Sequence, residues 1–498
     1  MNGSHFYGDP TFINFASQHR VFSSGKMLFN NKLLVRLPMR ERPFSPPLTA
    51  ASSTGVGSCG PCCISLVFIL LITLFPGSES FAQDTVFLTL EKAIRQALDN
   101  NPEIRIAAKQ TLASQIAVRE AKGNFFPKLT LNGTYTRNID KPVIFFPEAL
   151  GGVRPIQIGS NNNFVTYLDL SVPLYSKLNL SARQVAHSSL GLQREVLNGQ
   201  QQAVVADVRK GYSTYQVSLA AVSVREKGLE NAIENLVNTE EKAAQGAATE
   251  YDVTSAEVKV ASARNNLLES RSQVIPAANK LRLLMGLDMQ TPLVLQDSLS
   301  LDKEELMITA NPDDLSNNSD LRQRELNLEI ARQKTLQVKS SYYPILSGVG
   351  TYQYQSQDNN FNFSEYDWVQ TSALGMRLQV PLFNGTVTRH KVQQSVMNEE
   401  IAEVQKENTE QQNQARYQQL LSELNYIRQR IAAQSENIRL AEKALSLVKE
   451  RYHYGKASML EVNSAELDYI TARLNYLQTI SDYKSAYCDY QLLTGQIH

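Results

Sequence analysis

The chain has 498 residues, 42% of them hydrophobic and 8% aromatic, with 49 Lys and Arg against 49 Asp and Glu. That composition excludes wholesale disorder, and the absence of a basic excess excludes a nucleic-acid footprint. Residues 1–82 hold six of the basic and three of the acidic residues, which leaves 43 against 46 in the remainder, a net charge of −3 with no block of like charge.

Residues 64–75 form an apolar run broken only by Ser65 and Thr73. It is too short to span a bilayer and has the length of a signal-peptide core. Ser80-Phe81-Ala82 follows as a small-x-small cleavage site, so 1–82 reads as leader and signal peptide with cleavage expected after Ala82. The leader ahead of the core is overlong, which makes Met27 and Met39 alternative starts to Met1. Cys59, Cys62 and Cys63 fall in this segment; Cys59-Gly60-Pro61-Cys62 has the letters of a redox pair but lacks the preceding strand and following helix. No Cys directly follows the apolar run, which argues against a lipid-anchored form. Cys488 is expected to be a small buried residue.

From Leu88-Thr89-Leu90-Glu91 a short amphipathic helix runs through Ala93, Ile94, Ala97 and Leu98 to Asn100. A second begins at once, since Asn101 can cap it and Pro102 suits its first position, and it continues to about Gly123. After Pro127 the period changes to two: Leu129, Leu131, Gly133 and Tyr135 alternate with Thr130, Asn132, Thr134 and Thr136, so 128–138 reads as a strand. One face is apolar and the other polar but uncharged, which suits either a core and water or lipid and a water-filled lumen. Residues 140–163, rich in Pro, Gly and Asn, mark a long loop. A returning strand carries Phe164, Thr166, Leu168, Leu170 and Val172 on one face and is expected to end at Pro173. From about Tyr175 to Ala243 no proline interrupts a heptad pattern, which implies a helix roughly 100 Å long. Gly246 breaks it.

Residues 246–286 then keep a seam through Val253, Ala256, Val260, Ala263, Leu267, Val274, Leu281 and Leu284. The whole programme recurs. Asn317-Asn318 matches Asn100-Asn101, Pro344 matches Pro127, Val380-Pro381-Leu382-Phe383 matches Val172-Pro173-Leu174-Tyr175, Gly455 matches Gly246, and Gly495 matches Gly286. The offset is ~217 before the strands and ~208 after them, so the length difference falls in the inter-strand loop. The second copy of the seam, Val462 to Leu493, alternates Ala with rings and carries another stripe at Leu467, Ile470, Leu474 and Leu477, as expected of a helix walled in on both sides. The expected organisation is a first structural repeat at 83–286, a connector at 287–317 and a second repeat at 318–498.

Four strands of about ten residues match the length that crosses a bilayer at a tilt. They cannot cross it alone. An open four-stranded sheet leaves two edges of unpaired N–H and C=O groups, which in hydrocarbon cost tens of kcal/mol in total against a folding stability of ~5–15 kcal/mol. Several chains must therefore pool strands into one closed barrel and helices into one tube.

These motifs together, over 88–495, resemble the outer-membrane efflux protein family, the TolC-like channels. The resemblance implies a mainly α fold with a transmembrane β-barrel: two tandem helix–strand–strand–long helix–helix repeats, assembled as a homotrimer with an α-helical barrel and a twelve-stranded β-barrel. It implies an exit duct in the outer membrane, with a long periplasmic helical portion, that serves a tripartite efflux or type I secretion system. Its implied partners are outer-membrane lipid, a periplasmic adaptor (membrane fusion protein) and an inner-membrane RND or ABC transporter. At the periplasmic entrance, Asp252 falls where the family has an acidic tip residue, Tyr452 matches its tip tyrosine and Glu461 replaces an aspartate of its constriction ring. Ala457 stands where the best-known member of the family has a tip arginine and Ser464 where that member has a second ring aspartate; Lys456 is positioned to replace the lost positive partner. Gly246 and Gly455 are expected at the helix-tip turns, Pro127 and Pro344 at helix-to-strand junctions, and Pro173 and Pro381 at strand-to-helix junctions.

No phosphate loop, H-E-x-x-H or strand-linked G-x-G-x-x-G is present in the sequence. His187, His390 and His453 stand isolated on long helices without a second ligand at i+4. The expectation is a passive conduit with no catalytic residue, cofactor or metal. Tyr469, Tyr476 and Tyr483 read as packing rings. The alternative is a soluble periplasmic coiled-coil adaptor or spacer, but two similar halves, each with two lipid-length strands, favour the duct.

Overall fold

The computed structural model describes residues 86–145, 155–297, 299 and 312–497. The expected signal segment and its cleavage site lie outside the described residues. β1 (Val86–Leu88) leads into α1 (Leu90–Asn100), which Thr89 caps by accepting from the Lys92 N–H at 3.3 Å. α2 (Pro102–Gly123) starts on Asn101, whose Oδ1 accepts from the N–H groups of Glu103 and Ile104. There follow β2 (Lys128–Arg137), β3 (Val143–Ile144), β4 (Ile156–Gln157), β5 (Asn162–Ser176), α3 (Lys177–Ala244), α4 (Glu250–Met285) and β6 (Leu293–Leu295). After a short 3-10 turn at Pro312–Asn317 come α5 (Ser319–Lys339), β7 (Ile345–Asp358), β8 (Val369–Gln379), α6 (Val387–His453) and α7 (Met459–Leu493).

The four long strands form one antiparallel sheet in the order β2-β5-β7-β8, so β2 and β8 are its edges. Register places all the apolar alternation on one side. Leu129 faces Leu170 and Leu131 faces Leu168 across the first pair, while Leu168 faces Tyr352 and Gly350 faces Leu374 across the others. Leu131, Leu374 and Met376 are 72%, 89% and 77% exposed, so nothing among the described residues covers this face. The opposite side carries Thr130, Asn132, Tyr167, Asp169, Thr351, Gln353 and Arg377, and the Thr351 hydroxyl donates to Asp169 at 3.2 Å.

The structure departs from the sequence reading at several points. The strand expected to end at Pro173 continues to Ser176, with Pro173 opposite Ser347 and a register shift between Pro173 and Tyr175. Proline cannot donate to a ladder, and an irregularity in the pairing is where a sheet tolerates it. Ser176 is the strand-to-helix junction, its hydroxyl accepting from the Asn179 N–H at 3.2 Å. In the second half, Pro381 lies in an irregular link closed by two left-handed residues, Gly385 and Thr386. Within the loop expected at 140–163, β3 and β4 pair as a short ribbon. The connector contains β6, which pairs in parallel with β1. Pro127 and Pro344 stand immediately before β2 and β7.

The helices lie side by side. α3 packs against α2 and α5 toward the sheet and against α4 and α7 away from it, and α6 packs against α5 and α7. A buried core of Leu88, Ala93, Ala97, Val208, Tyr212, Leu281, Met285 and Leu293 binds β1 and β6 to α1, α3 and α4. The Asp297 carboxylate reinforces it by accepting from the Leu90 N–H at 2.9 Å and the Tyr212 hydroxyl at 2.8 Å. A second core joins α6 and α7 through Tyr417, Leu424, Ile427, Tyr483 and Tyr490. Tyr483 is therefore a packing ring, and Cys488 is buried on the same helix.

The two repeats close in the same way. Asn101 Nδ2 donates to the Leu284 carbonyl and Asn318 Nδ2 to the Leu493 carbonyl, each at 2.8 Å. Beside them Gly286 and Gly495 take φ near +65°, and a Cβ there would collide with the carbonyl of Asn100 or Asn317. Gly246 and Gly455 have equally positive φ but open space around them. Left-handed strain of about 1–2 kcal/mol therefore applies to alanine at all four, with a backbone collision added at Gly286 and Gly495. Thermal melting of the four single Gly→Ala variants should show clearly larger losses for Gly286→Ala and Gly495→Ala; equal losses would remove the close approach from the explanation.

Candidate functional site

Both long hairpins turn by the same local chemistry. The Gly246 N–H bonds the Ala243 carbonyl at 2.9 Å and the Ala247 N–H reaches back to Lys242 at 2.8 Å; Gly455 and Lys456 repeat this on Tyr452 and Arg451 at 3.0 and 2.8 Å. Three residues after each glycine stands a helix cap, Thr249 or Ser458, and three residues later an acid, Asp252 or Glu461. Each pair forms a reciprocal capping box. Asp252 Oδ2 accepts from the Thr249 N–H at 2.9 Å and its hydroxyl at 2.7 Å, and Glu461 Oε1 accepts from the Ser458 N–H at 3.1 Å and its hydroxyl at 3.2 Å.

These bonds hold both acids in the charged form. The Thr249 hydroxyl, then its N–H, lowers the Asp252 carboxyl below its ordinary range. The Ser458 N–H, then its hydroxyl, and more weakly the Arg451 charge, lower that of Glu461. Helix N-termini favour such charge.

The four residues expected at the entrance do gather at the two turns, with partners that sequence reasoning missed. Lys242, on the last turn of α3, places its ammonium 3.6 Å from the centre of the Tyr452 ring, which joins the first hairpin to the second. Arg451 donates to the Lys456 carbonyl at 3.0 Å and lies 3.5 Å from Glu461 Oε2. Arg451, and not the side chain of Lys456, is thus the cation paired with Glu461. Ser464 is exposed and Ala457 half-buried, and neither supplies a charge. The Thr249-x-x-Asp252 and Ser458-x-x-Glu461 spacings were available in the sequence as capping signals; the contact of Lys242 between the hairpins and those of Arg451 within the second were not. Tyr251, Tyr454 and Leu460 leave exposed apolar surface at the turns. Among the described residues, no group of His, Cys, Asp and Glu is placed to hold a metal ion.

A family model described as "Outer membrane efflux protein" matches residues 93–287 and 312–496. The solvent efflux pump outer membrane protein SrpC of Pseudomonas putida is 23% identical over 410 residues, which is 82% of this chain and 84% of that protein. The cation efflux system protein CusC of Escherichia coli O157:H7 is 21% identical over 423 residues, covering 82% of this chain and 86% of its own length. The Campylobacter jejuni CmeC outer membrane channel shares the fold, with a TM-score of 0.68 at 18% identity over 84% of this chain and 90% of that one.

The capping boxes generate a measurable expectation. Ser458→Ala should weaken the first turn of α7 by about 1 kcal/mol and speed amide exchange at 459–462 by about fivefold, whereas Thr249→Ala should act only on the start of α4. Unchanged exchange in both variants would rule out the boxes as the anchors of the turns.

Proposed function

The chain belongs to the outer membrane efflux protein family, and from that premise we propose how its parts form a duct. It is an outer-membrane channel with a long periplasmic helical part, the exit component of a tripartite system supplied by an inner-membrane pump and a periplasmic adaptor. It conducts passively and performs no catalytic step. The observation that carries the mechanism is the four-stranded sheet with two open edges and an uncovered apolar face. Three copies, the number the family resemblance supplies, join β8 of one to β2 of the next into a twelve-stranded barrel, and their helices close into one tube. Residues 83–286 and 318–498 act as the two structural repeats, with 287–317 between them.

In that assembly the apolar side meets lipid and the side bearing Asp169 and Arg377 lines the lumen. Asp252 and Glu461 stand at the periplasmic entrance, where Lys242–Tyr452 and Arg451–Glu461 hold the hairpins shut. A single ring of Glu461, without a second acid at Ser464, makes cation block at the entrance weaker than in relatives with two acidic rings. The pump sets the cargo; SrpC is named for solvents and CusC for cations.

Two measurements test this reading. In planar bilayers, Glu461→Gln and Asp252→Asn should each relieve block by divalent cations and Arg451→Ala should raise conductance; unchanged conductance and block in all three would remove these residues from the gate. Leu374→Arg, at mid-strand on the apolar face, should cost about 2–4 kcal/mol of stability in membranes, while Ala373→Arg, its lumen-facing neighbour, should insert almost normally. Equal tolerance of both would contradict the assignment of faces.

A further inference from the structure

Glu466 lies on α7 two turns beyond the capped start, and among the described residues it is the one acidic side chain that is completely enclosed, with 0% of its surface exposed. Neither carboxylate oxygen completes a hydrogen bond. The close packing of α3 and α7 explains the enclosure. Gly228 on α3 admits Ile470, whose Cδ1 would lie 2.7 Å from an added Cβ, and Lys210 pairs with Asp489 farther along the same antiparallel contact. That register brings Ala232, itself 1% exposed, level with Glu466.

The charged and titratable groups facing Glu466 are few: Glu234 on α3, Lys259 on α4 and Lys449 on α6. Neither ammonium forms an ion pair with it. Asn231 on α3 lies close enough to favour the charged form without completing a bond. Asn463, one turn earlier on α7, and Asn235, one turn along α3, also bury a polar atom without a partner. An unpaired carboxylate in such a layer is stable chiefly as the neutral acid.

We propose that Glu466 is a proton-operated latch: as a neutral acid it lets α3 and α7 pack beside the entrance, and on losing its proton to solvent it loosens that packing and favours opening. One proton leaves per chain on opening and returns on closing.

The sign follows from the environment. Burial, the largest influence, raises the Glu466 carboxyl above its ordinary range; Asn231, Lys449 and Lys259 oppose it and Glu234 adds to it. The packed state therefore holds a proton that the loosened state releases. Its stabilisation is complete below the ordinary carboxyl value and is lost as pH rises through the raised one. Asp252 and Glu461 shift downward instead, stay ionised near neutral pH and do not supply this dependence.

The test uses the full protein in detergent. Amide exchange at 459–470, corrected for intrinsic chemistry, should accelerate with pH by up to about tenfold per unit, the limit for one proton. Glu466→Gln, a neutral isostere, should remain slow and flat, while His453→Gln, which removes the imidazole at the end of α6, should keep the wild-type slope. The infrared carbonyl band of a protonated carboxylic acid should fade over the same pH range in the wild type and be missing from Glu466→Gln, a readout that holds even if exchange in the variant is altered by misfolding. A flat wild-type profile, an unchanged slope in Glu466→Gln, loss of slope in His453→Gln, or a band that ignores pH would each overturn the latch. Only the conductance arm rests on the duct reading: bilayer conductance should rise with the exchange rate, and exchange that behaves as expected in a protein that never conducts would reject the duct and keep the latch.

Discussion

Unpaired backbone at the two edges of one sheet is the constraint on which the rest of the structure depends. β2 and β8 each expose a ladder of N–H and C=O groups, and beside them Leu131, Leu374 and Met376 stand almost wholly uncovered. Water tolerates the first feature and hydrocarbon the second, but no single environment tolerates both. Closure by further copies satisfies the edges and leaves the apolar side for lipid. Because β5 runs through Ser176 directly into α3, whatever arrangement the strands adopt is transmitted to a helix of 68 residues.

Below the sheet, the chain holds its long helices in register by repeating one solution twice. An asparagine caps the helix that leads to the strands and donates to the end of the helix that returns from the turn, and a glycine gives the two backbones room to meet. Among the described residues, the far ends carry local caps, one cation–π contact, one ion pair and the Arg451 bond to the Lys456 carbonyl. Glu466 lies between these two ends, enclosed where α3 and α7 pack.

What the sequence disclosed was governed by neighbours a few residues away. Asn101-Pro102, the glycines at 246 and 455, and the alternation around Leu129 and Leu131 act through local geometry, so helices, turns and strands could be read from them. β6 is three residues long and exists because β1, over two hundred positions earlier, pairs with it. Pro173 stays in a strand because β7 supplies a register that shifts around it. The same limit governs the two hairpin turns. Glu461 was legible as an acid after a turn, but its pairing with Arg451 depends on how two helices meet. Glu466 reads as a surface charge in isolation and is buried only because Gly228 and Ala232 let α3 come close.

Counting the copies that share one barrel bears most directly on the pooling of strands. Native mass spectrometry of protein extracted from outer membranes into mild detergent should find three chains that stay together without heating and separate on boiling. A lone chain, stable and folded at every concentration, would contradict the shared barrel and the duct built on it.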